Sequence, residues 1–306
     1  MLVEPGLHEI VSGVHAWIQP DGAWWLNNAG AVHGDDGLIL VDTCATRRRT
    51  ELFLGAVHTA SDGAEIRLAV NTHLHGDHVY GNALLPASTT IVSHEKTRDG
   101  ILADFLLTTP TPIWQPAPDW GIDAIRAPTL TFRDGITLHT GQRAVEVKHP
   151  GYVAHTVGDA IAWLPAERVL FTGDLVFNQV TPLVFMGSVD GALRSVEWLR
   201  QFPADHVVPG HGPLITGEEF PAVLTTLERY YRFILDTAEA GAARGLTPLE
   251  AAHAADLGEF AGLPDDERIV LNLHRAYADA AGEEMNLLAA LTDAMTYHGG
   301  PLGCAL

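Results

Sequence analysis

Hydrophobic residues alternate with polar or small ones along much of the first two thirds of the chain, the pattern of half-buried strands. GVHAWIQP, WLNNAGAVHG and GLILVDT follow one another with Gly, Asp or Pro between them, which predicts an antiparallel opening. TRRRTELFLGAVHTA has helical spacing and leads into EIRLAVNT, a strand that ends at the densest group of histidines. Further strands are predicted at TTIVSH, ITLHT, RAVEVKHP, DAIAWLP and RVLFTGD, and the Pro-rich stretch from Thr109 to Pro128 is expected to pack as a surface loop. A helix is predicted between Ala192 and Phe202, and DHVVPGHG again reads as strand then loop. Past Pro221 the pattern changes: LTTLERYYRFILDTAEAGAARG and the residues to about 295 are rich in Ala, Leu and Glu with helical period. An α/β domain over residues 1–220 and a helical C-terminal extension over 221–306 are therefore expected.

Composition narrows the partners. With 38 acidic residues against 18 Lys and Arg, the formal charge of −20 repels nucleic-acid phosphates and anionic membrane surfaces. The expectation is a small-molecule substrate, with neither nucleic acid nor membrane as partner. Two cysteines, Cys44 and Cys304, are too few for a disulfide framework, and MLVEPGLHEIVSG lacks a basic region followed by an apolar run. A cytoplasmic location is the expectation that follows. Sixteen histidines direct attention to metal chemistry.

His73, His75, Asp77 and His78 form an HxHxDH cluster in THLHGDHVYGN, directly after the strand LAVNT. Imidazole nitrogen with carboxylate oxygen is a ligand set suited to Zn²⁺, and iron or manganese takes similar sites. Alternation sends His73 and His75 the same way, and Gly76 permits the turn that brings Asp77 and His78 toward a second position. His155 in AHTVGD, Asp174 in LFTGDL and His211 in VPGHG each stand at a strand-to-loop transition. Singly, each is an ordinary loop or capping residue. Together with the cluster they supply a fifth, sixth and seventh ligand, and the two oxygens of Asp174 can bridge ions about 3.5 Å apart. The expected cofactor is a pair of zinc ions.

NTHLHGDH, AHTVGD, FTGD and VPGHG together resemble the metallo-β-lactamase superfamily in its glyoxalase II-like branch, over residues 8 to about 215. The resemblance implies an α/β fold, an αββα sandwich with metals at one edge between two mixed sheets. It implies that His73, His75 and His155 hold one metal, that Asp77, His78 and His211 hold the other, and that Asp174 bridges. Asp42, at the end of LILVDT, matches a position that commonly supports a ligand from behind, although a plain turn residue reads equally well there. His75 in place of Glu disfavours the di-iron flavoprotein branch. Asp174, where true β-lactamases usually carry Cys or Ser, disfavours antibiotic hydrolysis. With only Lys96 and Lys148 as lysines, a glutathione thioester is disfavoured too.

The same resemblance puts QPDGAWWLNNAG over the metals, with Trp24, Trp25 and Asn28 toward the substrate, and turns Tyr152, Phe177, Asn178 and Thr181 to the same cleft; the bland alternative makes the aromatics core. Asp77 is the expected catalytic residue, orienting the attacking water. A zinc hydrolase of a thioester or ester with a hydrophobic or aromatic acyl group is the first reading. TPLVFMGSVDG, GLTPLEAA and NLHRAYAD also resemble actinobacterial members, some of them aromatic polyketide cyclases, so ring closure with the same metals is the alternative, and that resemblance implies a substrate carried on an acyl carrier protein. The C-terminal helices are expected to cover the site or to form a homodimer interface.

Overall fold

The computed structural model describes residues 5–109 and 111–306. Strands β1 (Gly6–Val11), β2 (Val14–Ile18), β3 (Ala29–Gly34) and β4 (Gly37–Val41) form an antiparallel meander. Helix α1 (Arg47–Ala60) then crosses to β5 (Ile66–Val70), which lies parallel to β4. The short helix α2 (Gly76–Val79), β6 (Thr90–His94), α3 (Glu95–Leu102), the short β7 (Trp114–Gln115) and β8 (Leu130–Phe132) follow. Strands β1 to β6 and then β8 make a seven-stranded sheet. The chain continues through β9 (Gly135–Thr140), β10 (Arg143–Lys148), β11 (Ile161–Leu164), β12 (Val169–Phe177), α4 (Val189–Leu199), β13 (His206–His211) and β14 (Ile215–Thr216). These strands form a six-stranded sheet in the order β14-β13-β12-β11-β10-β9, and only β12 and β13 run parallel within it. Helices α5 (Phe220–Ala243), α6 (Pro248–Ala254), α7 (Arg268–Ala281) and α8 (Leu287–His298) follow, and β15 (Leu302–Gly303) pairs in parallel with β7.

Alternation along each strand sorts side chains into layers. Ile39 and Val41 of β4 meet Ala162 and Leu164 of β11 between the sheets, where Val14, Val32, Val145, Val147 and Phe171 complete the core. Leu38 and Leu40 point the other way, onto Phe53 and Val57 of α1. Ile161, Trp163, Leu170 and Val207 of the second sheet face outward against α4 and the C-terminal helices. The result is helix, sheet, sheet, helix. Strand β12 is buried along its whole length, which explains the apolar stretches either side of TGD.

Three features depart from the sequence reading. Strand β1 and helix α3 join the fold without a periodic pattern that announces them. Helix α4 begins three residues before Ala192, because the Ser188 side chain accepts from the Gly191 N–H and caps it there. Within residues 111–128, the expected surface loop sends Ile113, Trp114 and Ile122 into the main core, and β15 holds β7 in place. Among the described residues no helix is long and apolar enough to cross a membrane.

The sheets approach closely at Gly30, where a Cβ would lie 2.2 Å from the Phe171 ring. Neither sheet can move without disturbing its own ladder. Gly30→Ala should therefore destabilise the fold by about 1–3 kcal/mol, read as a lower urea midpoint with an unchanged denaturant slope.

Candidate metal centre

Segments of both sheets converge at one edge of the sandwich. The segment after β5 carries His73 and His75, and α2 turns Asp77 and His78 back beside them. The loop between β10 and β11 supplies His155, β12 supplies Asp174, and β13 ends on His211. The Nε2 of His73 and the Nε2 of His155 lie 3.1 and 2.9 Å from His75 Nδ1. Three ring nitrogens this close match the separation of about 3.3 Å that Zn–N bonds of about 2.0–2.1 Å impose in a tetrahedron. Asp77 Oδ2 lies 3.2 Å from His211 Nε2 and 3.8 Å from His78 Nε2. Asp174 spans the two groups: Oδ2 is 3.7 Å from His73, 3.4 Å from His155 and 3.4 Å from His211, and Oδ1 is 3.1 Å from His78. Within each of the two sets, His73, His75, His155 and Asp174, and Asp77, His78 and His211, the candidate donor atoms lie within 4.8 Å of one another.

The outward nitrogens of three rings are tied down. His155 Nδ1–H donates to the Leu183 carbonyl at 2.7 Å and His211 Nδ1–H to the Gly22 carbonyl at 2.9 Å. His78 Nδ1–H donates to Asp42 Oδ2 at 2.8 Å, and Asp42 also accepts from the Thr72 amide and hydroxyl, each at 2.7 Å. These partners fix the tautomers so that Nε2 lone pairs point inward, as metal ligation requires. Within the cluster, His75 Nε2, His78 Nε2 and Asp174 Oδ1 are buried without a well-directed hydrogen bond, the last two facing each other at 3.1 Å. Orphaned buried polar atoms are costly, and the last two belong to the donor groups. A cation at each group satisfies them, so the residues fit metal ions. Gly210 is part of the fit: a Cβ there would lie 1.9 Å from Asp174 Oδ1.

Charge is balanced by proton placement. Burial lowers the pKa of His73 well below its usual value and that of His155 as well, and takes His75 down to about 3. Burial opposes protonation of His78 and His211 too, but there the carboxylates win, Asp174 foremost, raising His78 well above its usual value and His211 to about 9. Burial pushes Asp174 upward, yet His211, His78, His73 and His155 hold it well below the usual carboxylate range. Asp77 is likewise held down, burial being outweighed by His78 and His211.

A cavity of about 170 Å³ opens onto the cluster, with His75, Asp77, Asp174 and His211 in its lining. Trp24, Trp25 and Phe177 line it as well. The other four residues expected at the substrate do not. Asn28 is buried as a brace, its amide donating to the carbonyls of Pro209 and Gly212 beside His211. Asn178 donates to the Pro213 carbonyl and lines a different hollow. Tyr152 stacks beneath the Arg194 guanidinium at 4.0 Å. Thr181 is buried, and its carbonyl accepts from Arg268. Sequence reasoning missed Asp104, Phe105, Trp114, Phe185, Arg268 and Leu291 in the lining. They come from distant segments, and no local pattern marks them.

The sequence model described as Metallo-beta-lactamase superfamily matches residues 22–211. A hydroxyacylglutathione hydrolase of Methylococcus capsulatus is 32% identical over 156 residues, 49% of this chain and 50% of its own length. A linear primary-alkylsulfatase of Pseudomonas sp. is 24% identical over 264 residues, 74% of this chain and 49% of its own. The chain thus spans about half the length of these relatives. Among solved structures, the stereoselective inverting sec-alkylsulfatase Pisa1 from Pseudomonas sp. superposes with a TM-score of 0.70 at 16% identity, covering 93% of this chain and 51% of that one. At that identity the likeness shows the fold alone.

Two predictions follow from the donor geometry. His78 and His211 have raised pKa values in the metal-free fold and hold protons at pH 7, whereas ligation needs neutral rings. Zn²⁺ uptake by stripped protein should reach about two ions per chain, release about two protons and weaken as pH falls, measurable by calorimetry in buffers of different ionisation enthalpy. Asp42 has φ 61°, which Asn also tolerates. Asp42→Asn should keep the fold and lower metal affinity roughly 10–100-fold, measured by competition with a chromophoric chelator.

Proposed function

This chain belongs to the metallo-beta-lactamase superfamily, and on that premise we propose that it is a binuclear zinc hydrolase of an activated carbonyl, a thioester or ester with a compact hydrophobic or aromatic acyl group. The observation that carries this reading is the convergence of seven donor residues on two adjacent points at the wall of an apolar cavity. Metal ions bound there supply Lewis acidity, lowering the pKa of water and polarising the substrate carbonyl.

The protein residues set up the rest. Asp77 is ionised and lines the cavity, where its carboxylate can accept a hydrogen bond from the attacking water and orient it. Trp24, Trp25, Trp114 and Phe177 exclude bulk water and offer flat faces to the acyl group. A cavity of about 170 Å³ compares with the ~150 Å³ that accepts one benzene, which supports a single ring or short acyl chain. No thiol competes as nucleophile: burial drives the Cys44 pKa far upward. Similarity to a hydroxyacylglutathione hydrolase supports thioester chemistry at this site. The aromatic walls also suit ring closure of a polyketide-like chain short enough to form a single ring, a second reading that uses the same donors without net hydrolysis.

Metal-loaded protein should release free thiol from S-phenylacetyl-N-acetylcysteamine. Chelation should abolish the activity and zinc restore it, and Asp77→Asn should lower kcat by about 10²–10⁴-fold. Undiminished turnover by stripped protein would refute the metal hydrolase. Cyclised product without thiol release from a polyketide mimic would instead favour the second reading.

A further inference from the structure

Arg268 opens helix α7 and is almost completely buried, with 1% of its surface exposed, yet it lines the cavity beside the donor cluster. It is the one arginine or lysine among the described lining residues. Its guanidinium lies 4.8 Å from the centre of the Trp24 ring and 6.0 Å from that of Phe177. Glu267, the preceding residue, accepts from the Trp24 indole N–H at 2.6 Å and holds that ring in place. Phe177 in turn stacks on His211, with centroids 5.4 Å apart. Arg268 is thus rigidly placed within the wall that carries the donor cluster.

A guanidinium has five N–H donors. Thr181 O accepts one at 2.9 Å, and Asp265 Oδ2 lies 2.6 Å from Nη2. The Nε–H has no acceptor at all, and Asp265 Oδ2, despite its proximity, makes no well-directed hydrogen bond. A purely structural arginine at this depth has its donors satisfied. We infer that Arg268 anchors an oxyanion on the substrate, so that the preferred substrate is a compact apolar body bearing a carboxylate or sulfonate in addition to the scissile carbonyl. Planar oxyanions meet a guanidinium through two parallel hydrogen bonds, which a neutral amide or alcohol cannot reproduce. The assignment rests on the cavity being the substrate site of the proposed hydrolase.

The test compares benzoate, benzenesulfonate and neutral benzamide binding to the metal-loaded protein, followed by quenching of tryptophan fluorescence. Both anions should bind roughly tenfold or more tightly than benzamide. Arg268→Gln should abolish that preference, so that within the variant both anions bind no more tightly than benzamide. Asp265→Asn removes the competing carboxylate at a position with φ 58° that Asn tolerates, and it should tighten benzoate severalfold, which decides the matter even if Arg268→Gln fails to fold. Selectivity that persists in Arg268→Gln would assign the anion to the metals and overturn the inference. So would an absence of anion binding in protein that still cleaves the thioester, an outcome that leaves the hydrolase reading intact. Anion-selective binding without hydrolysis would sink the hydrolase reading alone.

Discussion

Five imidazoles and two carboxylates buried at one point cannot be stable unless each ring is oriented from outside and the net charge is balanced from within. For His211, His155 and His78 the first condition is met by acceptors drawn from separate loops, the carbonyls of Gly22 and Leu183 and the Asp42 carboxylate, itself held by Thr72. The second is met by protons on His78 and His211 in the metal-free protein, or by cations that replace them. Each loop around the cluster is therefore fixed by the ring it orients.

The sandwich supplies what this constraint demands. Parallel neighbours β4 and β5 end side by side, which puts Asp42 next to the segment that carries His73 and His75. Parallel β12 and β13 likewise bring Asp174 and His211 to the same edge of the other sheet. Close packing between the sheets, seen where Gly30 meets Phe171, sets the distance across which the donors must reach. Asn28 ties the two halves together, reaching from the start of β3 to the carbonyls that flank His211. Its role is to brace the donor loop, which accounts for its burial away from the cavity.

The seven side chains that converge were legible in the sequence because metal ligation uses few residue types; the strand-to-loop expectation holds for His211, at the end of β13, but not for Asp174, which lies inside β12. His73, His75, Asp77 and His78 lie within six residues, so their proximity is almost covalent. Layer order was legible for the same reason, since the alternation in GLILVDT already separates Ile39 and Val41 from Leu38 and Leu40. The cavity wall was not. Trp114 comes from an irregular stretch whose burial depends on β15, nearly two hundred residues away in sequence, and Arg268 comes from a helix whose pattern shows amphipathicity alone. An aromatic or amide beside a motif looks the same whether it faces the cavity, as Trp24 does, or scaffolding, as Asn28 and Tyr152 do.

Chemistry and selection thus occupy different parts of the molecule. The donor residues hang from one edge of the sandwich, where a small displacement would break several of the contacts that orient them. The cavity walls are built from the loop before β3, the segment after α3, the segment that contains β7, and helices α7 and α8, which pack on the sandwich through side chains alone. Phe105 and Leu291 make no hydrogen bond to the cluster, whereas Arg268 lies beside Phe177, which stacks on His211. A fold organised this way can keep its donor cluster while parts of the cavity wall change, and much of that wall comes from the segments with the least regular sequence.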